Sequence, residues 1–223
     1  MAIDLVRMAL APGQAADAEA DEATARILDA ALGQFEDFGL RRSTMEDIAK
    51  RAGMSRITIY RRFPRKENLI EAVLLRELNS FLDCLQRVGG DEMSAEDKMI
   101  ERLAFALQYL RNHPLLQRLL RTEPESILPS LTVSGRPVVD TAREHIGAFI
   151  RQDLFGSAVP PAEAERHIQT VAELGVRIVL SFLLTPSSAI PMETLEDARA
   201  FARDLIAPVN ASVLSDLARI VAS

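Results

Sequence analysis

A chain of 223 residues that is 48% hydrophobic can bury one or two globular cores, and its lone cysteine, Cys84, excludes an intrachain disulfide framework. A net charge of −6 excludes a general polyanion binder, because most of such a surface repels nucleic acid unless positive charge is gathered in one place. No uninterrupted apolar run reaches bilayer length: the longest, Gly175 to Leu184, is ten residues and contains Arg177 and Ser181.

In chain order, residues 1–20 carry the single basic residue Arg7 among scattered acids, and read as a disordered arm rather than an export signal. Ile27, Ala30, Ala31, Phe35 and Phe38 fall on one face of a first helix that Gly39 ends. Ser43 and Thr44 are both capping types, and Glu46 stands three residues after Ser43, so a capping box starts a helix near Met45. Met45, Ile48 and Ala49 form its apolar face, Lys50 and Arg51 close its last turn, and Gly53 supplies the reversal. Ser55 caps the next helix. There Ile59 and Phe63 lie on one side, Arg56, Thr58, Tyr60, Arg61 and Arg62 on the others, and Pro64 stops it. Two short capped helices joined by a glycine turn have helix-turn-helix geometry.

Leu69, Val73, Leu78, Leu82 and Leu85 then mark a long helix from about Lys66 to Val88, broken by Gly89 and Gly90. Ser94 and Asp97 cap a helix carrying Met99, Leu103, Ala106, Leu107 and Leu110, which ends at His113 and Pro114. A short helix spans Leu115 to Arg121. Residues 123–137 contain three prolines and a glycine and are expected to be irregular, with at most one helical turn. Helices follow near Val138 to Leu154, Ala162 to Leu184 and Met192 to Ala207, and after Pro208 a last amphipathic segment carries Val209, Val213, Leu217 and Ile220. The expected fold class is all-α, with an N-terminal three-helix helix-turn-helix head and a C-terminal helical body.

Charge singles out the head. Residues 41–66 hold nine Lys/Arg against two acids, a local charge of +7, whereas residues 1–40 sum to −6 and residues 67–223 to −7. Phosphates would dock on the one basic block. No Gly-rich phosphate loop, nucleophile elbow or paired Cys/His spacing supports an enzyme, and no cofactor is expected. Glu163 and His167 sit four apart without further ligands nearby, so no metal site is expected either.

The second half of the helix from Ala162 to Leu184 is apolar nearly all round, so it must be buried on two sides, in the centre of a monomer or against a second subunit. Glu173 stands four residues before Arg177 and can pair with it. Phe105, Tyr109, His113, Phe149 and Arg177 combine apolar walls with a few polar groups, the usual make-up of a ligand pocket, although each also has an ordinary structural use.

The run from Ile48 and Ala49 through Gly53, Met54 and Ser55 to Thr58, Ile59, Tyr60, Arg61, Arg62 and Phe63, continued by Lys66 to Leu69, resembles the DNA-binding domain of the tetracycline-repressor (TetR) family over about residues 22–70. The resemblance implies a regulator that binds double-stranded DNA, most often as a repressor, with domains at 21–68 for DNA binding and 69–223 for ligand binding and dimerisation. It implies that Thr44, Tyr60 and Lys66 contact phosphates and that Arg56, Ile57, Thr58 and Arg61 face base edges or nearby backbone. Ile57 departs from the small residue usual there, and offers an apolar contact of the kind a thymine methyl accepts. The resemblance further implies a cytoplasmic homodimer on a near-palindromic operator, joined through Ala172, Gly175, Ile178, Val179 and Phe182 and the following helix, and released by a small apolar or amphipathic ligand. The alternative is a helical adaptor that binds a protein partner and carries an incidental basic patch.

Overall fold

The computed structural model describes residues 18–90 and 92–205, which contain helices and no strand. Residues 1–17 of the arm expected over 1–20, and the amphipathic segment expected after Pro208, lie outside them. The described chain divides into two compact units, one of residues 18–80 and 113–138, the other of residues 81–112 and 139–205.

The first unit holds α1 (Ala18–Arg42), α2 (Met45–Ala52), α3 (Arg56–Arg62), the start of α4 (Lys66–Arg87), α6 (Pro114–Thr122) and α7 (Pro124–Leu131). Ile27, Phe35, Ile48, Ile59, Leu69, Val73, Leu115 and Leu119 form its solvent-free centre. The expected head ended at residue 68; this unit also takes in α6, which packs on α1 through that centre.

Three local expectations are corrected here. Helical geometry breaks at Gly39 (φ 82°, ψ 172°), which turns Leu40 into the core and leaves Phe38 49% exposed instead of inward. Thr44, not Ser43, is the N-cap of α2: the Asp47 N–H donates to Thr44 Oγ1 at 3.1 Å and the Thr44 N–H to Asp47 Oδ2 at 3.2 Å. Ser43 is buried, its hydroxyl donating to the Gly39 carbonyl at 2.6 Å beside the helix break. Residues 124–131 form α7 despite Pro129. An internal proline removes one helical N–H, and here Ile127 and Leu131 are buried on one face and offset that loss.

The turn between α2 and α3 follows the sequence. Gly53 adopts φ 65°, and the Gly53 N–H to Lys50 O (3.2 Å) and Met54 N–H to Ala49 O (3.0 Å) bonds make a Schellman cap. The Ser55 side chain accepts from the Thr58 N–H at 3.2 Å, and Ile59 and Phe63 are buried as their spacing predicts.

The second unit comprises the end of α4, α5 (Ala95–Asn112), α8 (Arg136–Phe155), α9 (Ala162–Leu184) and α10, helical over 195–205. Ile100, Leu103, Ala104 and Leu107 of α5 cluster with Met192, Ala198 and Ala202, and Ile150 of α8 with Ile168 and Ala172 of α9. α10 begins after Thr194 rather than at Met192, because Thr194 and Asp197 make a reciprocal capping box (2.8 and 3.1 Å) while Met192 is buried in the core. Arg151 clamps α8 to α9 through Glu165 at 2.6 Å; this bond and one from Gln169 hold the Glu165 carboxyl below the usual carboxylate range. α9 is a single 23-residue helix with the bounds expected from sequence, and by length and composition it could cross a membrane. Its five buried residues and its Glu173–Arg177 pair fit a core helix with one face uncovered.

The left-handed conformation at Gly53 generates a test. A Cβ there would meet only the Arg26 guanidinium, at 3.7 Å, so Gly53→Ala should cost about 1–2 kcal/mol through backbone strain alone. Gly53→Asn should recover part of that in urea unfolding, since Asn tolerates this region better.

Candidate nucleic-acid interface and the cavity of the second unit

α3 is seven residues long, held by the Ser55 cap at its start and by Ile59 on the core. Burying Ile59 turns the opposite side of so short a helix to solvent. Arg56, Ile57, Tyr60 and Arg61 are exposed, Ile57 by 80%, and Thr58 is partly covered beside Ser55, its hydroxyl 2.9 Å from the Ser55 hydroxyl. Six of the seven residues expected to meet DNA, Thr44, Arg56, Ile57, Thr58, Tyr60 and Arg61, therefore reach solvent along α3 and the start of α2.

Lys66 sits differently. At the first turn of α4 its ammonium donates to the Arg41 carbonyl at 3.5 Å, and burial pushes its pKa below the ordinary lysine range against the pull of Glu123 and Glu67.

The nine cations of residues 41–66 divide by what they touch. Arg41 pairs with Glu125 at 2.7 Å, Arg51 with Asp37 at 2.6 Å and Arg56 with Glu46 at 3.2 Å. Arg51 also packs on Gly33 and ties α2 to α1. Arg42, Lys50, Arg61, Arg62 and Arg65 have no ion pair among the described residues, and all but the partly covered Arg62 are exposed. Sequence reading counted Arg42, Lys50 and Arg65 as charge without assigning them a contact; the signal that marks them is the lack of an acid in reach.

The second unit contains a cavity of about 200 Å³ between the end of α4, α5, α8, α9 and α10. Its walls include Leu85, Met99, Phe149, Ile150, Val171 and Ile178, with Arg102 as the one charged lining residue. Of the five residues expected in a pocket, Phe149 lines it. Phe105 and Tyr109 stack with Phe81 at ring distances of 6.3 and 5.1 Å, away from the lining. His113 lies in the first unit as the N-cap of α6, its Nδ1 accepting from the Leu116 N–H at 3.4 Å and its Nε2 3.3 Å from Glu77. Arg177 is exposed and bonded to Glu173 at 2.7 Å.

Of the residues expected between subunits, Gly175, Ile178 and Val179 line this same cavity, Ala172 is buried against Ile150 and Ile168, and Phe182 packs edge-on against Phe201 at 5.1 Å. The apolar side chain that α9 turns outward is Leu174, 47% exposed. Among the described residues no three His, Cys, Asp or Glu side chains converge as a metal site would require.

Comparison with known proteins agrees with both halves. Residues 27–73 match the model of bacterial regulatory proteins of the tetR family, and residues 95–205 match that of the bacterial tetracyclin repressor C-terminal domain. An uncharacterised HTH-type transcriptional regulator of Mycobacterium tuberculosis is 32% identical over 189 residues, covering 83% of this chain and 91% of that protein. Two solved structures share the fold. A chain from Mesorhizobium loti assigned to the TetR family of transcriptional regulators aligns with a TM-score of 0.64 and 16% identity over 88% of this chain and 98% of that one. The TetR family repressor AlkX from Dietzia sp., implicated in biodegradation of n-alkanes, aligns with a TM-score of 0.60 and 23% identity over 84% and 97%.

The Arg56–Glu46 pair sets a test on this surface. Both side chains are well exposed, so Glu46→Gln should change stability by less than about 0.5 kcal/mol. It frees a cation and removes an acid beside the basic block, so binding to any duplex should strengthen at low salt, with a salt slope steeper by about one unit. Fluorescence anisotropy across a salt series measures both.

Proposed function

Because the chain belongs to the TetR family of DNA-binding transcriptional regulators, we propose that it works in the cytoplasm as a homodimeric repressor on a near-palindromic operator, and that a small, largely apolar ligand releases it. The observation that carries the DNA half is α3, a capped helix whose outward residues Arg56, Ile57, Tyr60 and Arg61 stand clear of the core in the one basic stretch of an acidic chain. In this reading Arg56, Ile57, Thr58 and Arg61 meet base edges in the major groove, while Thr44, Tyr60 and Lys66 hold phosphates, joined by Lys50 and Arg42. Arg56 exchanges Glu46 for its DNA contact, and Ile57 supplies an apolar surface for a thymine methyl.

The outward side of α9 supports the dimer. Leu174 is the large apolar side chain exposed there, and the small Gly175 beside it lets a second helix approach. The expected interface is therefore the ridge of Leu174, Gly175 and Ile178, with Ala172 and Phe182 serving the subunit's own core. Two-fold symmetry then spaces two copies of α3 for successive major grooves. The cavity supports the ligand half: it is apolar, and Leu85 on its wall belongs to α4, the helix that starts at Lys66 immediately after the recognition helix. A ligand that favours one position of α4 over another would shift the population competent for the operator.

Retention of the DNA upstream of its own gene, at moderate salt and against competitor duplex, tests the regulator; loss of all sequence preference would refute it. Arg61→Ala or Ile57→Ala should relax preference at particular base pairs by about 1–3 kcal/mol, whereas Lys50→Ala should weaken all sequences alike and lower the salt slope by about one unit. Leu174→Glu should halve the mass seen by light scattering, and an unchanged mass would move the interface elsewhere.

A further inference from the structure

We infer that the ligand of the second-unit cavity is a monoanion: one carboxylate on a compact apolar body of about eight heavy atoms, the size of a medium-chain fatty acid. This rests on the ligand-released reading above and adds the ligand's charge, which comes from a cluster of three side chains whose member Arg102 lines the cavity. Arg102 and Lys98 on α5 both reach Asp153 on α8, Arg102 in close contact through one amino nitrogen and Lys98 at 3.5 Å. Their side chains are only 11%, 15% and 8% exposed, and no second carboxylate pairs with either cation among the described residues. Two cations against one anion leave a surplus positive charge in a water-poor place, where an unbalanced charge is unfavourable.

Arg102 is the member that faces the cavity. Its guanidinium lies over the Phe149 ring, 5.4 Å from the centroid, and Phe149 is itself a wall residue. The Nε–H donates to the Leu85 carbonyl at 3.3 Å, and Nη1 and Nη2 each give one hydrogen towards Asp153, the second at 3.5 Å. A guanidinium has five N–H donors, so one hydrogen on each amino nitrogen is left; the two lie on opposite edges of the plane, and an incoming acceptor takes one of them. A carboxylate accepts from one of these hydrogens and cancels the surplus charge; an ammonium would repeat that charge, and an alcohol would leave it uncompensated. The remaining walls, Leu85, Met99, Ile146, Val171 and Ile178, offer only apolar contact. Size follows from volume, since an apolar cavity of about 150 Å³ holds benzene and this one, at about 200 Å³, holds roughly a third more.

Isothermal titration of the full chain with octanoate, 1-octanol and octylamine tests the charge directly. Octanoate should bind at least about tenfold more tightly than octanol, and octylamine should be weakest. Arg102→Met should erase the preference for octanoate over octanol while octanol binding is retained. If that variant fails to fold, Lys98→Met removes the surplus charge with the Arg102–Asp153 pair intact, and should lower octanoate affinity alone. Equal or tighter binding of octanol or octylamine, or no binding of any of the three, overturns the inference. Operator retention without ligand is scored separately. A protein that holds its operator but prefers octanol loses only the carboxylate, whereas one that holds no operator loses the repressor reading whatever it binds.

Discussion

The helix-turn-helix depends on how the chain leaves α1, and that exit is fixed by Glu123. Gly39 takes a backbone conformation that side-chain-bearing residues avoid, and a Cβ there would run into the Glu123 carboxylate. The same carboxylate, 5% exposed, accepts the Arg41 N–H at 3.2 and 3.3 Å. Ser43 then satisfies the Gly39 carbonyl, and Thr44 opens α2. A kink, a buried acceptor for the amide beyond it and a buried hydroxyl for the carbonyl within it form one linked arrangement. Without Glu123 the Arg41 amide would lose its partner, and unpaired polar groups in covered places are costly. Because Glu123 sits where α6 ends and α7 begins, the entry to the helix-turn-helix is set by residues more than eighty positions further along the chain.

That arrangement explains why the basic block is not uniformly available. Arg41 and Arg51 are spent on Glu125 and Asp37, holding α7 and α2 to the elements beside them, and Lys66 is half-covered near Glu123. A local charge of +7 thus resolves into cations that position the motif and cations that face solvent beside α3. The distinction matters for affinity, since only a cation that can neutralise a phosphate releases counterions.

Sequence pattern made the motif legible wherever the physics is local. The Gly53 turn, the Ser55 cap, the burial of Ile59 and Phe63 and the bounds of α9 all follow from spacing and cap chemistry within a few residues. It misled where two local solutions compete and a distant residue decides. Ser43 and Thr44 cap equally well on paper, and the Gly39 carbonyl at the helix break takes the Ser43 hydroxyl. Pro129 reads as a breaker until the burial of Ile127 and Leu131 is known. The cavity was least legible: Phe105 and Tyr109, four apart, could face a ligand or each other, and Phe81 settles them into an aromatic stack. Arg102 showed no sequence signal, because nothing local says that Asp153, fifty-one positions on, must serve two cations.

In the proposed dimer α9 carries two demands that pull against each other. A helix that lines a cavity needs side chains that stop short of filling it, while a helix in a subunit interface needs full, close packing. Gly175 answers both, since a Cβ there would meet nothing within 4 Å, leaving room on the cavity side and a low ridge for a neighbouring helix. Leu174 and Ile178 both line the cavity, and Leu174 is also exposed on the outward side of α9. If α9 forms the proposed interface, a ligand that presses on Ile178 or Val179 acts on the helix that sets subunit spacing, and a change of one side chain's position is passed on without a long relay. Cavity and proposed interface would then share one structural element, and substitutions chosen to enlarge the first should be checked for what they do to the second.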